Sequence, residues 1–367
     1  MDGRPTIPLR RTVTRAILYG MTDFLHSSRE GRILHVVLDR PKALNSLDLD
    51  MCLAFHEVLD EANADDSIEA VVTTSASPKA FCAGGDIKQI RQAKIDGDEH
   101  TAREFFEREY EMNLALAQSA TPVVSVMHGA TMGGGMGISI HGSHRVVTPG
   151  LLMAMPETAI GFIPDVGASY FLPRLEGGGA RGLAVGLYLG TTGARMDAAD
   201  ALHVGLATHL VPEDAQDALV TAIAEQGLEA GLAAHTVPAA EAGESRLTAH
   251  LDRIEKVFGA GDAVAILAAA EADAGDEWGD KVLDQLRSLS PTSQVCTVEL
   301  LRAGAESDVA RCLQLELALG AWTISQPDFI EGVRAVLVDK DRNPTWVPAT
   351  VEEVDPAPIR AALASVD

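Results

Sequence analysis

From Gly31 onward, runs rich in β-branched residues take turns with amphipathic helical stretches, and that alternation confines the chain to an α/β fold. "GRILHVVLDRP" (31–41) alternates and stops at Pro41, as a strand leaving for a turn does. "DLDMCLAFHEVLDEANAD" (48–65) repeats its apolar residues at helical spacing behind an aspartate cap. "IEAVVTTSA" (68–76) reads as a second strand, followed by the loop "SPKAFCAGGD" and a polar helical region reaching about Ser119. "TPVVSVMHG" (121–129) is a buried strand, "GGGMGISIHG" a glycine-led helix start, and "HRVVTPG" (144–150) another strand. "GLATHLV" (205–211) follows two short helices as one more strand. The pattern recurs without sequence identity between units.

At about residue 213 the composition turns Ala- and Glu-rich with little β-branching, so the chain divides into a core at 22–212 and a helical region at 213–367 docked on it. Its "VCTVELL" and "CLQLELALGAW" segments carry apolar residues at helical spacing. The first twenty residues hold four arginines, one acid and no apolar stretch. We expect a disordered tail over 1–21, similar to a weak organelle-targeting sequence or upstream of a start at Met21.

Charge narrows the partners. Fifty-three acids against 29 bases give a net charge of −24, which argues against nucleic acid or an anionic membrane surface. The uncharged stretch between Glu111 and Arg145 is no membrane span, because it holds Pro122, three histidines and six glycines. Four cysteines (Cys52, Cys82, Cys296, Cys312) lie far apart without a CxxC pair, which speaks against zinc and a disulfide framework and for a reducing compartment. Cys52 and His56 are one helical turn apart, too few ligands for a metal site. Cys82 beside a glycine pair invites a nucleophile reading, but buried free cysteine is ordinarily packing.

Three segments can carry chemistry. Gly84 and Gly85 in "KAFCAGGDIKQI" free the backbone for close approach to a ligand. Gly133, Gly134 and Gly135 open a helix in "GATMGGGMGISIHG", leaving N–H groups exposed at its start. Neither run is a GxGxxG or phosphate-loop signature. Two such turns can aim two N–H donors at one carbonyl oxygen, although tight turns and close packing explain glycines equally well. In "AMPETAIGFIPDVGASYF" (154–171), Glu157 and Asp165 are isolated in an apolar neighbourhood. They suit either catalysis or helix-end roles, Glu157 in a first turn and Asp165 as a cap.

With "RPKALNSL", "AFCAGGDI", "HGATMGGGMGIS", "AMPETAIGFIPDVGASYFLPRL", "GLATHLV", "SPTS" and "DFIEGVRAVLVDKDRNPTW" in this order, the chain resembles the crotonase (enoyl-CoA hydratase/isomerase) superfamily from about Gly31 to Trp346. Within it the chain is most similar to the 3-hydroxyisobutyryl-CoA hydrolases. The resemblance implies a crotonase-like spiral of ββα units with a helical C-terminal region, and an acyl-CoA thioester as substrate. It places an oxyanion hole at Gly85 and Gly134, active-site carboxylates at Glu157 and Asp165, and a substrate-contacting acid at Glu109 of "REY". Hydratases carry a second glutamate two residues after the glycine triple; here that position is Gly137, as in the hydrolases. Losing a positioned acid or base costs roughly 10²–10⁴-fold, so a hydratase so depleted should be poor.

The expected activity is therefore thioester hydrolysis of the kind used in valine catabolism. An isomerase or weak hydratase using Glu157 alone, or a non-catalytic CoA-ester-binding protein, are the alternatives. Glu157 would act as nucleophile or as general base, and Asp165 would orient the 3-hydroxyl or a water. Lys42, Lys79, Lys88 and Arg91, with Arg40 and Lys94 nearby, are candidates for meeting the CoA phosphates. No metal or separate cofactor is expected, since CoA is part of the substrate. A homo-oligomer is possible, and the expected location is cytoplasmic, with the Arg-rich tail leaving organelle targeting open.

Overall fold

The computed structural model describes residues 18–19 and 22–366. Within them run ten strands in chain order: β1 (Leu18–Tyr19), β2 (Leu25–Glu30), β3 (Ile33–Leu38), β4 (Ala70–Ser75), β5 (Ala80–Cys82), β6 (Val123–Met127), β7 (Ala130–Met132), β8 (His144–Val147), β9 (Leu152–Ala154) and β10 (His209–Leu210). Seven form one sheet in the order β1-β2-β3-β4-β6-β8-β10, and three form a smaller one, β5-β7-β9. Only β1, β2 and β3 pair antiparallel to one another; the other pairings in both sheets are parallel.

From β4 to β9 the chain deals its strands alternately, one to the large sheet and the next to the small one. Helices fill the return from β5 to β6 and from β7 to β8, as parallel pairing demands, because no tight turn can join parallel strands. The result is a spiral of ββα units, the crotonase-like architecture expected above.

The large sheet is covered on both faces, which is why its middle strands read as unbroken apolar runs; all five residues of β6 are buried. Leu34, Val36, Leu38 and Val71 face the Leu49–Ala64 helix through Met51, Phe55, Val58 and Leu59. Ile33, Ala70, Val72, Val124 and Val146 face the Gln216–Gln226 helix through Leu219, Val220 and Ile223. The Leu49–Ala64 helix starts where its sequence says, with the Asp48 carboxylate accepting from the Met51 N–H.

Several expectations shift in detail. The polar helical region is two helices, Ile87–Asp96 and Glu99–Ala117, because Gly97 turns left-handed and Asp98 caps the second. The strand in "GLATHLV" shrinks to β10. Inside the stretch expected to be a tail, Leu18–Tyr19 pair with Ser27–Ser28; the rest of 1–21 lies outside the described residues. The uncharged stretch folds as a helix end, β6, β7 and the short buried helix Gly134–Ile140, and no helix among the described residues is long and apolar enough to cross a membrane.

Three C-terminal helices, Pro291–Ala305, Val309–Thr323 and Pro327–Val333, lean on the loops that leave the spiral. The Ser290 N–H donates to the Thr158 carbonyl at 3.2 Å, and Phe329 packs edge-on to Phe162. A π-helical turn, Arg334–Val338, follows directly.

Candidate active site

The small sheet sets the site. Its strands are parallel and aligned, Cys82 beside Thr131 and Met132 beside Ala154, so all three end at one edge. Just beyond that edge come Ala83–Gly85, Gly133–Gly134 and Pro156–Glu157, from three successive windings. Ligands of open α/β sheets gather at such carboxyl ends. Together with Phe106, Glu109, Phe162, Asp165, Val336 and Leu337, these residues line a cavity of about 150 Å³.

Backbone geometry requires glycine at two of these positions. Gly84 (φ 105°) and Gly133 (φ 49°) are left-handed. A Cβ on Gly134 would lie 2.5 Å from Glu109 Oε1 and 3.2 Å from the Gly85 nitrogen, and one on Gly133 would lie 2.6 Å from Glu157 Oε1. The Gly85 nitrogen and two carboxylates thus converge on the bare glycine pair. Among the described residues, neither the Gly85 nor the Gly134 N–H has a hydrogen-bond acceptor. The loop after β3 braces the first turn: Leu47 N–H donates to the Gly84 carbonyl (2.8 Å), and Asp86 N–H to that of Leu47 (2.8 Å).

Three buried carboxylates face this cavity with no ion pair among the described residues. Glu157 opens the turn Glu157–Ile160, and its Oε2 has no hydrogen-bond partner. Glu109 comes from the middle of the Glu99–Ala117 helix, and its Oε1 is likewise unpartnered. Asp165 accepts from the Tyr110 hydroxyl at 2.7 Å. It does not cap a helix: Gly167 precedes the Ala168–Phe171 helix, without a side-chain cap.

Burial raises all three acids. Glu109 rises well above the usual range, first through desolvation and then through repulsion from Asp165 and Glu157. Glu157 does so through desolvation and then Asp165. Asp165 is pushed up to about 7 by desolvation, against the pull of the Tyr110 hydrogen bond. Such a cluster resists carrying three charges at once, which suits its members to trading protons with one another and with a ligand.

The cationic candidates are scattered. Lys42 and Lys88 are exposed and flank the Ala83–Asp86 turn, one on the bracing loop and one on the helix that follows. Lys79 is exposed at the start of β5, the opposite end of that strand from Gly85. Arg91 is half-buried and donates through Nε to the Ile330 carbonyl at 3.0 Å, tying its helix to the C-terminal region. Arg40 pairs with Asp86 at 2.9 Å, and Lys94 lies 3.9 Å from Glu99. Cys82 is fully buried with its thiol pushed up to about 12 by desolvation, so it packs rather than reacts.

Sequence reasoning missed Tyr110, although it directly follows Glu109 in the quoted "REY". It also missed Val336 and Leu337, which bring the C-terminal region to the cavity from a motif that had been singled out without roles. Gly137, where hydratases carry their second glutamate, faces elsewhere. A side chain there would not project into the cavity, because its Cβ would sit 2.7 Å from Val166 Cβ and 3.0 Å from Asn113 Nδ2.

The family model described as enoyl-CoA hydratase/isomerase matches residues 33–363. The chain is 36% identical over 340 residues to the mitochondrial 3-hydroxyisobutyryl-CoA hydrolase of Dictyostelium discoideum, covering 89% of this chain and 88% of that one. It is 37% identical over 332 residues to the human protein of the same name, covering 87% and 83%. Among solved structures, a carnitinyl-CoA dehydratase from Mycobacterium thermoresistibile superposes with a TM-score of 0.86 at 37% identity, covering 94% of this chain and 98% of that one. An enoyl-CoA hydratase from Rhodobacter sphaeroides does so with 0.84 at 35%, covering 93% and 97%.

Proposed function

The chain belongs to the enoyl-CoA hydratase/isomerase family, and from that premise we propose that it hydrolyses a short acyl-CoA thioester, 3-hydroxyisobutyryl-CoA foremost. The observation that carries the reading is the meeting of two unengaged N–H groups, Gly85 and Gly134, with the Glu157 carboxylate at one bare glycine pair. The N–H groups donate to the thioester oxygen as negative charge develops on it, typically the largest single contribution to such catalysis. Glu157 attacks the carbonyl carbon to give a mixed anhydride, or takes a proton from the water that attacks instead. Either route breaks the C–S bond and releases CoA, and water supplies the acid's new oxygen. A protonated neighbour, Asp165 or Glu109, returns a proton to the leaving thiolate.

Asp165 orients the substrate's 3-hydroxyl or the water, and Glu109 meets the acyl end beside Gly134. Lys42 and Lys88, exposed beside the Gly85 turn, would meet the CoA phosphates; Lys79 and Arg91 fit that role less well, by position and by prior engagement. A role in valine breakdown follows from the substrate named for the relatives. The four cysteines are buried and free, which suits the reducing cytoplasm we expect and is compatible with the word mitochondrial in the relatives' names.

One observation favours a second reading, hydration or dehydration at Glu157: the two solved structures above carry dehydratase and hydratase names. A panel of acyl-CoA esters, followed for free thiol and for enoyl absorbance, separates the two. Thiol release fastest on 3-hydroxyisobutyryl-CoA supports hydrolysis. Absorbance change without thiol supports the second reading, and neither signal refutes both in favour of a binding protein.

A further inference from the structure

Behind Asp165 the backbone takes a costly path. Val166 is left-handed (φ 55°), which a β-branched residue adopts only when its surroundings force it. A buried acid from the C-terminal region grips the residues that follow it. Glu316, fully buried on the Val309–Thr323 helix, accepts from the Gly167 N–H at 2.7 Å, the Ser169 N–H at 2.8 Å and the Ser169 hydroxyl at 2.5 Å. His141 Nε2 holds the Val166 carbonyl at 2.8 Å from the other side. No cation pairs with Glu316 among the described residues, so these donors are its compensation for burial.

We infer that Glu316 is a positioning residue: it clamps the strained Asp165–Ser169 turn and thereby aims the Asp165 carboxylate into the cavity. The inference rests on the reading of Asp165 given above. Two restraints meet on that side chain, the Tyr110 hydroxyl on its carboxylate and the clamp on the backbone that follows it. Releasing the clamp lets Val166 relax toward its ordinary backbone region and swings Asp165 off its aim. The Val309–Thr323 helix thus joins the site without touching substrate.

The test is a double-mutant cycle with Asp165→Asn, read as kcat and KM on a 3-hydroxyacyl-CoA above pH 8, where Glu316 is ionised and accepts from all three donors. Glu316→Gln keeps shape and one acceptor but turns an NH₂ toward backbone N–H donors. It should lower kcat by about 10–100-fold, the cost of a misplacement near 1 Å, with KM nearly unchanged. In the Asp165→Asn background it should add less than about twofold, because its effect passes through a group already removed. The same loss in both backgrounds overturns the inference, as does wild-type kcat in Glu316→Gln while Asp165→Asn is impaired. Wild-type activity in Asp165→Asn overturns the parent role and the clamp with it. Should Glu316→Gln not fold, Ser169→Ala, which removes the hydroxyl donor alone, carries the test. A smaller kcat loss confined to the Asp165 background supports the clamp, and no loss, or an equal loss in both backgrounds, sinks it.

Discussion

Gly134→Ala is a sharp perturbation of the proposed site. Gly134 starts a helix with ordinary backbone angles, so alanine is conformationally allowed and gains up to about 1 kcal/mol of helix preference. The fold should therefore survive. The new methyl, however, would sit 2.5 Å from Glu109 Oε1 and 3.2 Å from the Gly85 nitrogen. A carbon and an oxygen rest at about 3.3 Å or more, so the Glu109 carboxylate must retreat by roughly 0.8 Å. The methyl also stands where a thioester oxygen would have to approach the Gly85 N–H. A displacement near 1 Å costs about 10²-fold, and denying one oxyanion donor costs about 10²–10³-fold. The two effects share one methyl and do not multiply. We expect kcat/KM to fall by about 10²–10³-fold, or about 3–4 kcal/mol, with Tm held. Continuous thiol detection beside thermal scanning measures both. A folded variant within tenfold of wild type would refute the placement of the thioester oxygen between Gly85 and Gly134.

Glu157→Gln should lower thiol release by at least about a hundredfold while acyl-CoA binding, followed by calorimetry, persists; a loss below tenfold removes Glu157 as the reacting carboxylate. Stability should fall as pH rises. Asp165 and Glu316 sit at about 7 and about 8 in the folded state but near 4 when unfolded, so the stabilisation is full below about 4 and lost as they ionise on the way to 8. Tm measured from pH 5 to 8.5 should decline, less steeply in Asp165→Asn; a flat profile in wild type contradicts the burial of these acids in charge-poor surroundings. Gly137→Ala should destabilise by about 1–3 kcal/mol through overpacking against Val166, and Gly137→Glu should gain no enoyl-CoA hydration. Denaturant titration measures the first, and hydration in a folded Glu variant above that of the Ala variant would disprove the second.

The large sheet was legible because its strands are long enough to show a period. "GRILHVVLD" and "IEAVVTTSA" announce themselves, and the Asp48 cap is local chemistry. The small sheet was not: β5, β7 and β9 are three residues each, shorter than any alternation can reveal, yet they carry the site. Glu157 and Asp165 stood out as acids in apolar company, whereas Glu109, in a polar helix, looked like any solvated acid and entered only through the family resemblance. Glu316 was harder still. One acid on an apolar helix face looks ready for solvent, and only the folding of residue 316 against 167–169 gives it partners. Gly137 is legible in the opposite way: its place two residues after the glycine triple points toward the ligand, and only the folded Val166 shows that its face is occupied.

The three windings divide the labour of the site among separable pieces of chain. On the proposed reading, the β5 and β7 windings end in the backbone amides that would hold a thioester by its oxygen, whatever reaction follows. The β9 winding ends in the Glu157 carboxylate, whose surroundings would set that reaction. A lineage built this way can trade one chemistry for another by editing a single coil while its hold on the CoA ester stays inherited and intact. Relatives more than a third identical can then carry the names of hydrolase and dehydratase on one scaffold.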